Sequence, residues 1–132
     1  MLFRSATRAI TQFFFEPETF LRFRDRAVQA GINIPIVPGI MLQPNFKGLT
    51  RIAGLCNTHI PDRVHRHFDG LDEDAATRQL VTAHLAAQLC ADLREAGVND
   101  FHFYTLNRAE PALSTCHLLC VKPKPAATEA AA

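Results

Sequence analysis

The sequence predicts an α/β fold built on a parallel sheet, and three observations support this prediction. Short apolar runs alternate with longer segments of helical periodicity. Each run is rich in β-branched or aromatic residues, as is typical of strands buried on both faces of a parallel sheet. The segments between the runs are long enough for the helical crossovers that parallel strands require. Because three such strands make a poor independent fold, we expect them to be part of a larger barrel.

The first predicted strand is the run of residues 9–15, in which Gln12 is the one residue with a side-chain amide. A helix is expected to follow directly. Pro17 suits its first turn, since proline has no N–H to leave unpaired there. Gly31 suits its end, because glycine readily adopts the positive φ that terminates helices.

The second predicted strand is residues 34–40, and we expect Pro38-Gly39 to end it in a turn. A helix should then begin after Asn45, whose side chain can cap its N-terminus. The apolar stripe of this helix consists of Leu49, Ile52, Ala53 and Cys56. Residues 61–68 are predicted to form one more short helix.

A long helix is predicted from about Glu73 to Ala96, ended by Gly97. Its buried stripe is expected to be Val81, Leu85, Leu89 and Leu93. His84 interrupts this stripe and is expected to be a hydrogen-bonded core histidine.

The third predicted strand is residues 101–106, and a last helix should run from about Pro111 to Cys120. Leu113, Cys116 and Cys120 are expected to pack into the core from this helix. We therefore expect one domain over residues 1–121 and a flexible tail over residues 122–132, where lysine alternates with proline before an alanine-rich end.

Composition limits the classes of function. The formal charge of +1 over 132 residues gives no indication of nucleic-acid binding. No apolar run approaches the length of a membrane span, and the N-terminal segment lacks a secretory hydrophobic region, so we expect a cytoplasmic protein. The four cysteines lack the spacing of a disulfide framework and are expected to be reduced core thiols. We expect no metal site, because Cys116, His117 and Cys120 have no further ligand nearby in sequence.

Candidate site residues lie at the C-terminal ends of the predicted strands, where parallel α/β folds place their chemistry. A buried Gln12 either offers its amide to a heterocyclic ligand or bonds to a neighbouring strand. Arg108 either clamps a substrate carboxylate or forms an ion pair with Glu16 or Glu110. The residue pattern alone leaves these alternatives open.

Several segments together resemble the bacterial type of the methylenetetrahydrofolate reductase family, from about Thr7 to about Val121. These are Arg8 to Phe15, Phe23 to Arg26, Val37 to Ile40, Asn45 to Lys47, Phe68 to Asp72 and Asp100 to Ala109. The resemblance implies the last three strands, with their helices, of an eight-stranded (β/α)8 TIM barrel, which would be incomplete here.

The resemblance also implies an activity. In this family NADH or NADPH reduces FAD, and the reduced flavin passes hydride to 5,10-methylenetetrahydrofolate, giving 5-methyltetrahydrofolate for methionine synthesis. By resemblance, Gln12 contacts the folate pterin and the nicotinamide. Arg108 matches an arginine that contacts substrate, and Tyr104 and Leu106 match residues near the folate and the flavin. Ile52 occupies a ligand-contacting position at which some members carry an aromatic residue.

The sequence departs from the family pattern in ways that affect activity. Gly48 stands where the family usually has a substrate-contacting glutamine. The family's proton-donating glutamate, the aspartate near the flavin and nearly all FAD contacts have no equivalent, so no residue of this chain is assigned a catalytic role. Two hypotheses follow. The chain is either part of a reductase that is active only with an N-terminal half chain, or a non-catalytic remnant that contacts folate or self-associates through its sheet edges.

Overall fold

The computed structural model describes residues 6–122 and residue 124, which fold as three parallel strands and five helices. In chain order the elements are β1 (Ala9–Phe13), α1 (Pro17–Gln29), β2 (Ile36–Met41), α2 (Phe46–Leu55), α3 (Asp62–Phe68), α4 (Ala75–Glu95), β3 (His102–Tyr104) and α5 (Ala109–Leu118). The sheet order is β1-β2-β3, and both pairings are parallel. The predicted α/β class and parallel sheet are confirmed, whereas the larger barrel stays a prediction.

The central strand differs from its two neighbours in burial. Residues 37–40 of β2 are buried, whereas Ile10 and Gln12 of β1 are exposed and β3 is half-buried. The prediction that all three strands are buried on both faces is therefore right for β2 and wrong for the edge strands. Within the described residues nothing pairs with the outer edges of β1 and β3, which explains the difference.

The prediction that Pro38-Gly39 ends the second strand is wrong, because β2 continues to Met41. A proline is tolerated inside a sheet at a bulge, where its missing N–H removes no regular ladder hydrogen bond. The partner strand supplies such an irregularity: Ile10 pairs with Val37 and Phe13 pairs with Gly39. Two residues of β1 therefore face the single residue Pro38.

One hydrophobic cluster, which we call the scaffold core, joins the sheet to α1 and α4. Its buried members are Phe14, Phe20, Ile40, Leu42, Ala86, Leu89, Cys90, Leu93 and Val98. Leu89 and Leu93 of the predicted α4 stripe lie in the scaffold core, while Val81 and Leu85 pack against a second hydrophobic cluster. Burial raises the pKa of the Cys90 thiol to about 12.

A second cluster, the loop-side core, joins the end of β1 to α2 and α3. Its buried members are Phe13, Leu49, Ala53, Ile60, Val64 and Phe68. The ring of Phe46 stacks on that of Phe68 at a centroid distance of 4.8 Å. Arg63 of α3 donates a hydrogen bond to the backbone oxygen of Phe15, so α3 is tied directly to the segment that follows β1.

Most helix ends agree with the sequence signals. Asn45 Oδ1 accepts a hydrogen bond from the Gly48 N–H at 3.0 Å, which confirms the predicted cap of α2. Gly31 and Gly97 have φ values of +83° and +85°, as expected of helix-ending glycines. The strands are shorter than predicted, since β1 ends at Phe13 and β3 begins at His102.

Some predictions about side-chain packing are wrong. His84 is exposed, because the buried face of α4 runs through Ala83 and Ala86 on either side of it. In α5 the buried residues are Pro111 and Thr115, whose spacing of four places them on one helix face.

Leu113 and Cys120 were expected to pack inside, but Leu113 lies off the α5 face defined by Pro111 and Thr115, and Cys120 lies beyond Leu118, where α5 ends. Leu113 and Cys120 are exposed, and Cys116 is half-buried. The cysteines are free thiols, with Cys90 alone among the four being buried. Apart from residues 122 and 124, the predicted tail lies outside the described residues. No helix among those that the structure describes is long and apolar enough to cross a membrane.

Candidate functional site

The irregular segment of β1 carries the candidate residue Gln12. In a regular parallel pair each residue has one partner, but here Thr11 and Gln12 together face Pro38. An extra residue of this kind bends the strand and changes the direction of nearby side chains, and such bulges are common beside functional sites. The local geometry around Gln12 is therefore set by the bulge rather than by strand alternation.

A hydrogen-bonded unit crosses all three strands at this point; we call Thr11, Gly39 and Tyr104 the strand clamp. The Gly39 N–H donates to Thr11 Oγ1 at 3.0 Å, so a side chain replaces the usual backbone acceptor. The Tyr104 hydroxyl donates to the Thr11 backbone oxygen at 2.8 Å, which links β3 to β1 across β2.

The strand clamp requires a glycine at its centre. A Cβ atom on Gly39 would lie 2.5 Å from the Thr11 backbone oxygen and 2.6 Å from Tyr104 Cε2. Both distances are shorter than Cβ contacts allow, and one of the opposing atoms belongs to the backbone. An isolated glycine inside a strand often marks such a close approach.

Gln12 is exposed, which corrects the prediction that it is buried. The cause is the position of β1 at the edge of the sheet, where no described residue covers it. Its Oε1 atom accepts a hydrogen bond from the Phe13 N–H at 3.1 Å, so the amide bonds to its own strand rather than to a neighbouring one. Among the described residues no acceptor bonds to Gln12 Nε2.

An open cleft of about 640 Å³ lies beside Gln12. It is bounded by β1, by the start of α1 and by the turn after α2. Its lining includes residues 10–16 of the first strand region, Thr19, Phe20 and Phe23 of α1, and residues 56–59. The walls are largely apolar, and within residues 6–122 the lining includes the acidic Glu16 but no Lys or Arg. Such a surface suits a flat heterocycle that can also hydrogen-bond to an amide.

The turn after β3 carries Leu106 and Arg108. Leu106 and Asn107 both have positive φ, at 51° and 61°, which is uncommon for residues other than glycine. Arg108 is exposed immediately before α5, and its backbone N–H donates to the Thr105 oxygen at 3.0 Å. Arg108 forms no ion pair with any residue in the described part of the chain, so the predicted alternative of a bridge to Glu16 or Glu110 is not observed.

The sequence profile described as Methylenetetrahydrofolate reductase matches residues 4–120, which is most of the chain. The chain belongs to the methylenetetrahydrofolate reductase family. It is 53% identical over 118 residues to 5,10-methylenetetrahydrofolate reductase of Escherichia coli strain K12, covering 89% of this chain and 40% of that protein.

More distant members of the family match the same region. The 5,10-methylenetetrahydrofolate reductase of Buchnera aphidicola subsp. Acyrthosiphon pisum is 44% identical over 114 residues, covering 86% of this chain and 39% of that protein. A maize protein named Methylenetetrahydrofolate reductase (NADH) 1 is 38% identical over 105 residues, covering 79% of this chain and 18% of its own length. The chain thus spans about 40% of the length of the bacterial reductases that it matches.

The two positions that depart from the methylenetetrahydrofolate reductase pattern lie on α2. Ile52 is half-buried and packs against the loop-side core. Gly48 adjoins Gln43, because a Cβ on Gly48 would lie 3.4 Å from Gln43 Nε2. Gln43 Oε1 in turn accepts a hydrogen bond from the Asn45 N–H at 3.0 Å. This neighbouring amide does not exclude a larger side chain at position 48, since its contact atom ends a flexible side chain.

The structure brings some of the predicted reductase site residues together. Tyr104 and Ile52 both pack against the loop-side core, and Tyr104 bonds to the residue next to Gln12. Leu106 and Arg108 instead lie exposed in the turn that follows β3. No three metal-ligating side chains come together anywhere in residues 6–122.

Sequence reasoning missed two members of the site. Thr11 and Gly39 hold the bulge, yet neither was selected as a candidate. The signal was present in Gly39, an isolated glycine within an otherwise apolar strand. It was concealed by the preceding proline, since a Pro-Gly pair is also a strong turn signal.

Proposed function

We propose that this chain forms the folate- and nicotinamide-contacting wall of a methylenetetrahydrofolate reductase. The complete reaction would use NADH or NADPH to reduce 5,10-methylenetetrahydrofolate to 5-methyltetrahydrofolate. The observation that carries the proposal is the Gln12 amide, which is anchored through Oε1 and borders the open cleft of about 640 Å³. Family membership supplies the reaction class.

Gln12 is the residue that we assign to both ligands. An amide can donate through nitrogen and accept through oxygen, and the edge of a pterin and the carboxamide of a nicotinamide present groups of both kinds. With Oε1 bonded to the Phe13 N–H, Nε2 is the group that is offered to a ligand carbonyl. The neighbouring aromatic side chains of the cleft would exclude water from this hydrogen bond.

The other assigned residues would surround the rest of the folate. Arg108 has an exposed guanidinium without an ion-pair partner in the described chain, so it can bind a carboxylate of the folate glutamate. Leu106 and Ile52 would provide apolar contacts. Tyr104 borders the same region, although its hydroxyl is already bonded to Thr11.

FAD does not fit the cleft beside Gln12. Its diphosphate needs cationic side chains or a phosphate-binding turn, whereas among the described residues no Lys or Arg lines this cleft and Glu16 does. We therefore derive no step through the flavin, and no residue is assigned as the proton donor. In this proposal both belong to other parts of a complete reductase.

The proposed function includes assembly of this chain with further strands. We propose that the three strands are the last part of a (β/α)8 barrel, whose further strands come from an N-terminal half chain or a second copy. The unpaired edges of β1 and β3 in the described structure provide the backbone groups for such pairing. A folate-using reductase of this type would act in the cytoplasm.

Co-expression with the part of the Escherichia coli reductase that lies outside the matched region tests the function. We expect a purified complex with a flavin absorbance band and with NADH oxidation that depends on a folate acceptor. A colourless product, with or without complex formation, would contradict the proposal and would favour a non-catalytic remnant.

A variant sharpens this test at the level of one residue. Gln12→Ala should raise the KM for folate about tenfold, which corresponds to the loss of one net hydrogen bond of about 1.4 kcal/mol. Gln29→Ala is the matched control, because Gln29 is an exposed glutamine at the end of α1. Equal KM values for the two variants would contradict the assignment of Gln12.

A further inference from the structure

We propose that Thr11 and Tyr104 are positioning residues, which hold the bulge of β1 and thereby fix the orientation of the Gln12 amide. The inference rests on the proposed function, since it concerns the residue assigned to folate and nicotinamide. Tyr104 would act on the ligand indirectly, by orienting Gln12, in addition to any contact with the ligand that the family resemblance implies.

Thr11 uses both of its oxygen atoms to hold the bulge. Its Oγ1 accepts from the Gly39 N–H at 3.0 Å and donates to the Gln12 backbone oxygen at 2.9 Å. Its backbone oxygen accepts from the Tyr104 hydroxyl. In a regular ladder a backbone carbonyl of β1 would bond to β2, so the threonine side chain restores a bond that the bulge removes.

The backbone groups that follow the Gln12 side chain are hydrogen-bonded within the bulge. The Gln12 carbonyl is bonded by Thr11 Oγ1, and the next N–H, that of Phe13, is bonded by Gln12 Oε1. The Gln12 side-chain amide is therefore bonded to a backbone segment whose carbonyl at Gln12 is itself held by Thr11. Its orientation depends on the bulge remaining in place.

Tyr104 holds the bulge from β3, the strand at the other edge of the sheet. Its hydroxyl reaches Thr11 from β3, a separation of 93 residues in sequence, and its ring lies against Gly39. A phenylalanine would keep the ring contacts and lose only the hydroxyl. Loss of the Tyr104 hydroxyl should therefore change the position of Gln12 more than the packing of the core.

Side-chain amide NMR of the ¹⁵N-labelled chain tests the positioning directly. In Tyr104→Phe and Thr11→Val we expect the Gln12 amide signals to shift and the contact between the Gln12 side chain and the Phe13 N–H to be lost. Thr11→Ser keeps the hydroxyl and should retain the wild-type signals.

Thr115→Val is the matched control for a purely structural effect. It removes a buried hydroxyl that donates to the Pro111 oxygen at 2.7 Å within α5, away from the sheet. We expect it to destabilise the chain and to leave the Gln12 amide signals unchanged. Unchanged Gln12 signals in Tyr104→Phe and Thr11→Val would overturn the inference, and Tyr104→Phe alone decides it if Thr11→Val does not fold.

A double-mutant cycle in binding of 5-methyltetrahydrofolate by the co-expressed complex gives a readout that a structural role would not move. Tyr104→Phe should weaken binding about three- to tenfold in the wild-type background, the range expected for one net hydrogen bond. It should have no further effect when Gln12 is already alanine. An equal loss in both backgrounds would overturn the inference. If the wild type does not bind, or if Gln12→Ala binds as well as the wild type, the proposed function fails, while the NMR experiment still decides the positioning.

Discussion

The scaffold core and the strand clamp lie on the same three strands but are held together by different interactions. The scaffold core consists of apolar side chains, and Leu93 and Cys90 within it are fully enclosed. The strand clamp consists of hydrogen bonds around a glycine, and its tyrosine is half-buried. Non-directional apolar contact supplies stability, whereas directional hydrogen bonds fix the position of particular atoms.

This difference shows how the chain can separate stability from recognition. Apolar side chains of α1 and α4 close the scaffold core, and this packing does not involve a ligand. The bulge, by contrast, interrupts the regular pairing of the edge strand β1 and places the Gln12 amide beside an open cleft. A change in one region should therefore leave the other largely intact, and this expectation can be tested from either side.

The largest effect is expected from a cavity in the scaffold core. Leu93→Ala should reduce the free energy of unfolding by about 2–5 kcal/mol, because Leu93 has no exposed surface and its neighbours can only partly collapse. Urea denaturation measures the loss. Leu118→Ala is the control, since Leu118 is 58% exposed and should change stability by less than about 0.5 kcal/mol.

The NMR spectrum of the same variant tests whether the two regions are separate. At urea concentrations below the unfolding transition, the Gln12 amide signals of Leu93→Ala should match those of the wild type. Displaced Gln12 signals in the folded variant would show that the scaffold core and the strand clamp are coupled.

A smaller loss is expected from the centre of the strand clamp. Gly39→Ala should destabilise the chain by about 1–3 kcal/mol, because the new Cβ overlaps the Thr11 oxygen and the Tyr104 ring. Here the Gln12 amide signals should move, in contrast to Leu93→Ala. Gly54→Ala provides the comparison: nothing lies within 4 Å of a Cβ at this helical position, so it should be neutral or slightly stabilising. Equal behaviour of the two glycine variants would contradict the proposed close approach.

The smallest effect is expected at the start of α4. Asp74 Oδ1 accepts from the Thr77 N–H at 2.9 Å and Oδ2 accepts from the Thr77 hydroxyl at 2.6 Å, which lowers the pKa of the Asp74 carboxyl below its usual 3.8. A lowered folded-state pKa contributes stability that is complete above the unfolded-state value and is lost as pH falls through the folded-state value. The contribution of Asp74 to the free energy of unfolding should therefore decrease as the pH falls below about 4.

Two variants isolate the contribution of Asp74 in thermal melts between pH 2 and pH 7. Asp74→Ala should lower the midpoint at neutral pH and should approach the wild type at the acid end. Asp74→Asn keeps an oxygen acceptor without a titratable group, so it should preserve the cap and remove this part of the pH dependence. A wild-type pH dependence in Asp74→Asn would exclude Asp74 as its source. Neither variant should alter the Gln12 signals.

Local signals in the sequence were sufficient for most of the fold. The cap at Asn45 and the glycines at positions 31 and 97 mark helix ends through interactions within a few residues. Such interactions do not depend on distant parts of the chain, so they can be predicted from sequence. The alternation of strands and helices was predicted for the same reason.

The site was harder to predict because it depends on neighbours that are distant in sequence. The burial of Gln12 was predicted from its own strand, but exposure is decided by whether another strand lies beside β1. The bulge depends on Thr11 and Gln12 lying opposite Pro38 and on the hydrogen bond from the Gly39 N–H to Thr11 Oγ1, and no local pattern shows this arrangement. The residue pattern left two alternatives open for Arg108, and the role of Leu106 came from the family resemblance alone.

Titration of the ¹⁵N-labelled chain, in complex with the co-expressed part of the Escherichia coli reductase, with 5-methyltetrahydrofolate tests most directly whether the cleft beside Gln12 binds the ligand. We predict progressive shifts of the Gln12 side-chain amide, the Phe13 N–H and residues 56–59 around the cleft, with signals of α4 and α5 unchanged. The absence of shifts at high ligand concentration, or shifts confined to α4 and α5, would contradict the central claim that this chain forms the folate-contacting wall of a reductase.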